Sequence, residues 1–448
     1  MGLAGISSAS AAVVEDLILR TRRLINWLPR RRALVDTLGP IFLCYRTSDG
    51  ATRARQLAWT LRATGLPVWH DKTDLPPGDT AHRLVEALKG GLSGAVVVVT
   101  PDITNSQVVR ELELPQLLDL AKDPRFTLAF ANTIPDVQDP ERPDYEAPDR
   151  LLRTRWQRPQ LRNHHQYSYF KEADGAGIAL AMALQRMSLV RESGTKVVEI
   201  DIQTREGHPG AWRNRSPLVV RMSPAQDAHQ VPPKEAWASF TPFLEIVPSL
   251  LDEAGADGVL IRGGAHLSAA AALGAALPVT RIWKVAIERQ DGLWRDEVDH
   301  PAIPISAELT SHSGQGRIAV LVDCADTPAH RTFTGFVTEH DDGFASALVL
   351  STNGSRLDPA DAAATADEIA RLIRAEAVNQ GALSVDLCLR TPFPLAVMLG
   401  RRLNTLELTL YEWEPADGPR YVPTLTVASG RGSVVLAVHD RLAPEIKE

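Results

Sequence analysis

The sequence is poor in cysteine: Cys44, Cys324 and Cys388 are all it has in 448 residues, and each sits in a strand-like apolar run. No CxxC pair and no zinc-type Cys/His spacing occurs, which leaves no metal site and makes reduced, buried thiols in a cytoplasmic protein the expectation. Long hydrophobic runs are missing too. None approaches the roughly 18 residues that span a bilayer, and the start lacks the basic-then-apolar pattern of an export signal. Positive charge is short: 48 Lys and Arg against 55 Asp and Glu leave a net charge of −7. That argues against wholesale binding to DNA, to an RNA polymer or to an anionic membrane. Neither a GxGxxG nor a Walker loop is present, so the usual glycine cradle for phosphate is not implied.

One local absence points the other way. "PFPLAVMLGRRLN", residues 392–404, reads as a helix with prolines in its first turn and two arginines near its end. Its first turn carries no Asp or Glu to answer the positive end of the helix dipole. A helix start of that kind, with free backbone N–H groups, suits an anion.

What is present is ordinary globular material, 44% hydrophobic and 23% charged, enough for two to four domains. Residues 10–28 read as an amphipathic helix capped by Ser10 and ended by Pro29, with Val13, Leu17, Leu24 and Leu28 on one stripe. From residue 40, strand-like runs alternate with helical patterns: "IFLCYR", "PVWHD", "GAVVVVT" and "RFTLAFAN" are strands between amphipathic segments. Solid β-branched runs in such an alternation mean a parallel sheet covered on both faces. "SQVVRELELPQLLDLA" is expected as one helix broken late by Pro115, and "SLVRESGT" as a linker. The C-terminal part repeats itself. "VLIRGGAHLSAAAALGAAL" (259–277) lies over "VDLCLRTPFPLAVMLGRRL" (385–403) without a gap, at the 126-residue separation of Gly274 and Gly400. Each copy has a strand and a helix before it and a strand after it, so two similar α/β units in tandem are expected.

The first α/β block resembles a TIR domain, the Toll/interleukin-1-receptor fold. "IFLCYRTSDG" is similar to its opening strand and loop, "GLPVWHDKTDLPPGDT" to its second strand and BB loop, and "VVVVTPDITNSQVVRE" to its central strand and following helix. The remainder resembles a SAVED domain, a fused pair of Rossmann-like, CARF-like units, with "PLAVMLGRRLN" its strongest portion. The resemblance implies an α/β fold throughout: a segment 1–37, a flavodoxin-like TIR domain over 38–187, a linker over 188–195, and a SAVED domain over 196–448 with halves near 196–312 and 313–448.

It also implies a function, that of an antiphage defence effector. SAVED domains sense cyclic oligonucleotides, with cyclic tri-adenylate the first expectation, and bacterial TIR domains of this type split NAD+ between nicotinamide and ribose. NAD+ is then substrate and the ring activator, with no cofactor. The transition state has oxocarbenium character and needs a fixed negative charge near the ribose. The leaving group departs as neutral nicotinamide, so one carboxylate carries most of the work. The family pattern, S-x-x-V-x-x-E or W-x-x-x-E, gives that role to Glu111, although Gln107 stands at the tryptophan position. On an α-helix the neighbouring Glu113 points about 200° away. Tyr45, Arg46, Asp71 and Gly78 are the expected NAD+ neighbours, Arg46 on pyrophosphate. The strand-to-helix loops "IRGGAHLS" and "LRTPFPL" border the expected activator pocket through Arg262, Gly263, Gly264, His266, Ser268, Arg390, Thr391 and Phe393. Arg401 and Arg402 lie past the first turn and read as packing or surface residues. Family TIR sites are completed by a neighbour's BB loop, so a homo-multimer or filament is implied. The alternative is a non-enzymatic TIR module that recruits a separate effector.

Overall fold

The computed structural model describes residues 35–69, 90–152, 161–205, 215–223, 230–281, 283–325, 330–340, 343–415, 418–428 and 433–440. The amphipathic segment 10–28 and the loop carrying Asp71 and Gly78 lie outside the described residues. The chain divides into two units, Met1–Ser193 with His208–Val219, and Gly194–Gly207 with Val220–Glu448.

The first unit is built on a five-stranded sheet: β1 (Ile41–Cys44), β2 (Val68–Trp69), β3 (Gly94–Val99), β4 (Thr127–Asn132) and β5 (His165–Ser168), in the order β2-β1-β3-β4-β5. The ladder is parallel throughout. Central β3, "GAVVVV", is buried at all six positions, as a strand covered on both faces must be. Helices α1 (Thr47–Ala63), α2 (Leu114–Leu120), α3 (Ala147–Leu152) and α4 (Gly175–Glu192) accompany it. Residues 188–192, expected as linker, continue α4 to Glu192. From that helix the buried Arg186 donates to the carbonyls of Leu38 (2.6 Å) and Gly39 (2.8 Å), anchoring the chain just before β1.

The helix after β3 departs from the sequence expectation. Val109–Glu113 forms a π-helical turn in which the Leu114 N–H donates to the Val109 carbonyl, and α2 begins only after it, with Pro115 in its first turn. Proline has no N–H to offer the Glu111 carbonyl. The turn preceding it adopts the wider i→i+5 register instead.

The second unit contains two sheets. One runs β10-β9-β8-β6-β7, from β6 (Val197–Gln203), β7 (Leu218–Arg221), β8 (Gly258–Gly264), β9 (Lys284–Arg289) and β10 (Gly292–Arg295). The other has seven strands, β11-β13-β12-β14-β15-β16-β17, from β11 (Ser306–Ser311), β12 (Arg317–Asp323), β13 (Ser346–Ser351), β14 (Ser384–Arg390), β15 (Glu407–Glu414), β16 (Arg420–Val427) and β17 (Val435–Val438). Among the described residues its helices are α5 (Lys234–Ala254), α6 (Leu267–Ala276), α7 (His330–Glu339), α8 (Ala362–Asn379) and α9 (Phe393–Arg402). Parallel β6-β8-β9 in one half corresponds to parallel β12-β14-β15 in the other.

The sequence repeat is a structural repeat to the residue. Strands β8 and β14, and helices α6 and α9, begin and end at the same 126-residue offset. The residues preceding the two helices, His266 and Pro392, share one conformation (φ −56°, ψ 144° and φ −55°, ψ 143°). The two helices cross at the repeat glycines. A Cβ on Gly274 would lie 2.1 Å from the Val397 carbonyl oxygen, and one on Gly400 would lie 2.0 Å from that of Ala271. Ala271 and Val397 are themselves repeat equivalents, so the contact is reciprocal and pseudo-two-fold. Only glycine lets the backbones approach this closely.

Candidate functional site

In parallel α/β sheets, ligands sit beyond the carboxyl ends of the strands. At that end of the first sheet the β1 and β3 loops are tied together. The Asp49 carboxylate accepts from the Thr100 hydroxyl and the Asp102 N–H, both at 2.9 Å. Arg46 donates to the Asp102 carbonyl at 2.9 Å and pairs with its carboxylate at 3.2 Å. A pyrophosphate at Arg46 therefore competes with Asp102 rather than meeting an idle cation. Tyr45 is nearly buried, at 9% exposure. Of the expected catalytic turn, Glu111 is half-buried, whereas Glu113 is 8% exposed. Burial, then the nearby Glu113 carboxylate, pushes the Cys44 thiol, at the last residue of β1, well up from its usual range.

At the corresponding end of the second unit the two halves differ. Gly263 has φ +97°, and a Cβ there would lie 2.3 Å from the Ile202 carbonyl oxygen. The Gly264 N–H donates to the Gln203 side chain at 3.1 Å. Arg262 alternates with buried Ile261, so it lies on the opposite face of the sheet, held by Glu199 (2.9 Å) and Glu288 (2.8 Å). His266 is 8% exposed and bonded to Thr204 through both its backbone N–H and its ring, at 2.8 Å each. Burial, then Arg205, lowers its pKa to about 4, so it is neutral. Ser268 is buried, and its N–H donates at 2.6 Å to the carboxylate of Glu412 from β15. Burial raises the Glu412 pKa, while the amides of Ser268 and Leu267 oppose that rise.

An acid from the second half thus already occupies the start of α6. Arg401, also from the second half, closes the other end of α6 by donating to the Leu277 carbonyl. Both ends of that dipole are answered inside the domain. Arg401 and Arg402 share the buried carboxylate of Asp296, with exposures of 3%, 6% and 5%. They are packing residues rather than surface ones.

The start of α9 is different. Its first turn has no acid and no side-chain cap. Ala286 stands one repeat before Glu412, so the first half has no matching acid at that position. Thr391, just ahead of the helix, has a buried hydroxyl with no hydrogen-bond partner among the described residues. Arg390, at the end of β14, pairs at 2.8 Å with Asp323 at the end of β12. Phe393, the first helical residue, is half-buried. The structure gathers Arg390, Thr391 and Phe393 at one helix start, commits the His266 ring and the Ser268 N–H to internal bonds, and holds Arg262 between Glu199 and Glu288. Glu412 and Asp323 were missed by sequence reasoning. The available signal for Glu412 was an acid on the inward face of "LELTLYEW", in step with Leu408 and Leu410. Two cavities in this unit lie elsewhere: about 350 Å³ between α5 and β17, and about 410 Å³ around the first residues of β6, β8 and β9. No grouping of His, Cys, Asp or Glu among the described residues is able to hold a metal ion.

Residues 41–173 match the model of the TIR domain, and residues 244–427 match that of SAVED, the SMODS-associated and fused to various effectors sensor domain. The chain is a fusion of a TIR domain with a SAVED domain. Among solved structures it is similar to the Acinetobacter baumannii Cap4 SAVED/CARF-domain containing receptor with the cyclic trinucleotide 3'3'3'-cAAA, at 12% identity and a TM-score of 0.43, covering 83% of this chain and 96% of that one. The Moraxella osloensis Cap4 receptor is similar at 12% identity and a TM-score of 0.38, with the same coverage. No curated protein sequence matches the chain. No described helix is long and apolar enough to cross a membrane.

Proposed function

We propose that the chain is a cytoplasmic antiphage effector whose SAVED domain binds a cyclic oligonucleotide and whose TIR domain then cleaves NAD+ to nicotinamide and ADP-ribose. The observation that carries the sensing half is the start of α9. Among the described residues, its first turn has neither an acid nor a side-chain cap, and a buried hydroxyl without a hydrogen-bond partner stands beside it. Buried polar groups are normally satisfied, and the Thr391 hydroxyl, without a partner among the described residues, is available to an anion at this helix start. A phosphate there gains the free N–H groups and the helix dipole, and Arg390 adds a charge-assisted bond once it exchanges Asp323 for the ligand. Cyclic tri-adenylate is the ring the family resemblance names.

For the TIR half, the family motif supports one carboxylate of the Val109–Glu113 turn, assigned by that motif to Glu111, standing near the ribose as it gains positive charge. The ring's role is to drive head-to-tail association, in which one protomer's BB loop completes its neighbour's site; contacts of that kind extend openly unless rotation closes them. The direct test of the sensing half is Thr391→Glu, which sets a carboxylate where a phosphate is expected. Calorimetric affinity for cyclic tri-adenylate should fall at least tenfold, about 1.4 kcal/mol, with the melting temperature retained. Wild-type affinity in that variant would move the phosphate away from α9.

A further inference from the structure

We infer that Trp413 is the platform on which a base of the activator ring stacks; the inference rests on the ring-binding reading of the SAVED domain and names the residue that holds a base. Tryptophan is highly buried on average. Among the described residues Trp69, Trp237, Trp283 and Trp294 are buried and Trp59 is half-buried; Trp413 alone is exposed, at 48%. A single exposed apolar side chain is ordinary on a protein surface. Its place in the fold is what gives this one a use.

That place is the ligand end of the sheet. Trp413 is the last residue but one of β15, which runs parallel to β14. The register pairs Cys388 with Tyr411, so two residues further on Trp413 stands level with Arg390, the final residue of β14. Adjacent strands lie about 5 Å apart. Arg390 pairs in turn with Asp323 at the end of β12, and directly precedes Thr391 and the start of α9. Trp413 is therefore one strand away from the groups proposed to hold phosphate, and in a nucleotide a single sugar separates base from phosphate. The platform is also fixed in place. On one flank the Glu412 carboxylate accepts from the Ser268 N–H at 2.6 Å; on the other, buried Glu414 accepts from the Val231 N–H at 3.3 Å. A residue pinned through both neighbours loses little freedom when a flat partner covers it. Bases outside a duplex present their π-faces, and aromatic side chains hold them by stacking.

The test titrates the full chain with cyclic tri-adenylate, by calorimetry and by tryptophan fluorescence, at protein concentrations too low for ring-induced light scattering. Trp413→Leu should weaken binding by about 5- to 150-fold, the range for losing one stacked base. Its melting temperature should stay within about 2 °C of wild type, because the side chain is exposed. Trp413→Phe keeps a stacking face and should bind within a few-fold of wild type, while the fluorescence quenching that accompanies ring binding largely disappears. A loss smaller than about fivefold in Trp413→Leu overturns the inference and leaves ring sensing intact. Quenching in Trp413→Phe equal to that of wild type does the same. If Trp413→Leu keeps its ring affinity but no longer scatters light with the ring at higher concentration, Trp413 serves a contact between copies, and the inference fails. If the wild-type chain binds no cyclic di- or trinucleotide, the ring-binding reading fails and the inference goes with it.

Discussion

Gly400→Ala tests the helix crossing beside the proposed activator site. The added Cβ would meet the Ala271 carbonyl oxygen at 2.0 Å and its carbon at 2.8 Å, where ordinary contact begins at 3.4 Å. The obstacle is backbone, so no side chain can swing aside and the helices must part by about 1 Å. Leu395, Leu399, Ala271 and Leu273 around the crossing are all fully buried, so parting also loosens a close-packed core. Overpacking of this kind costs about 1–3 kcal/mol, and occasionally more. Alanine returns about 1 kcal/mol through its better helix propensity. The clash involves backbone on both sides, which places it at or beyond the top of that range, so a net loss of about 2 kcal/mol or more is expected. At about 2–4 °C per kcal/mol for a domain of this size, the SAVED transition in calorimetry should fall by roughly 5 °C or more. Gly274→Ala, which meets Val397 at 2.1 Å, should behave alike, because the contact is reciprocal. Gly177→Ala in α4 is the control. Nothing lies within 4 Å of its added Cβ, so it should be neutral or stabilising by up to about 1 kcal/mol. Gly400→Ala melting within 1 °C of wild type would refute the close crossing.

Three further outcomes are expected. Asp296→Asn removes the carboxylate shared by buried Arg401 and Arg402 and should cost about 3–5 kcal/mol in urea unfolding; a loss below 1 kcal/mol would mean that water reaches the cluster. His266 has a folded pKa of about 4, below the unfolded value, so its contribution is present above about pH 6.5 and is lost as pH falls toward 4. Wild type should therefore lose about 3 kcal/mol more than His266→Gln over that window, and equal pH slopes would contradict a buried neutral ring. Arg390→Ala should weaken cyclic tri-adenylate binding less than Thr391→Glu does, since Arg390 first has to leave Asp323; equal losses would make Arg390 a primary anchor.

The parts of the fold that obey local rules were legible. β-branched "GAVVVV" announced a strand covered on both faces, and the gapless repeat set strands and helices that coincide to the residue. Gly274 and Gly400 were visible as repeat markers; that they meet each other across two helices was not, because tertiary approach leaves no mark on a single sequence. The candidate sites were legible only in outline. A bare helix start at 392 could be read directly, but Glu412, which fills the matching start of α6, arrives from 144 residues further along the chain. Arg262 looked like a loop cation, yet β8 extends to Gly264, so Arg262 stands within the strand and pairs with Glu199 and Glu288. Counting set Glu111 and Glu113 on different sides, and Glu111 is half-buried while Glu113 is buried; the π-helical turn before Pro115 was not legible, because no local pattern marks that register.

The central claim is that ring binding at the SAVED domain switches on NAD+ cleavage by the TIR domain. Nicotinamide release by the purified full chain, measured with and without cyclic tri-adenylate and other cyclic di- and trinucleotides, tests it most directly. The account predicts release with at least one ring, negligible release without any, and specific activity that falls on dilution as multimers dissociate. Equal release with and without every ring, or none under any condition, would contradict it.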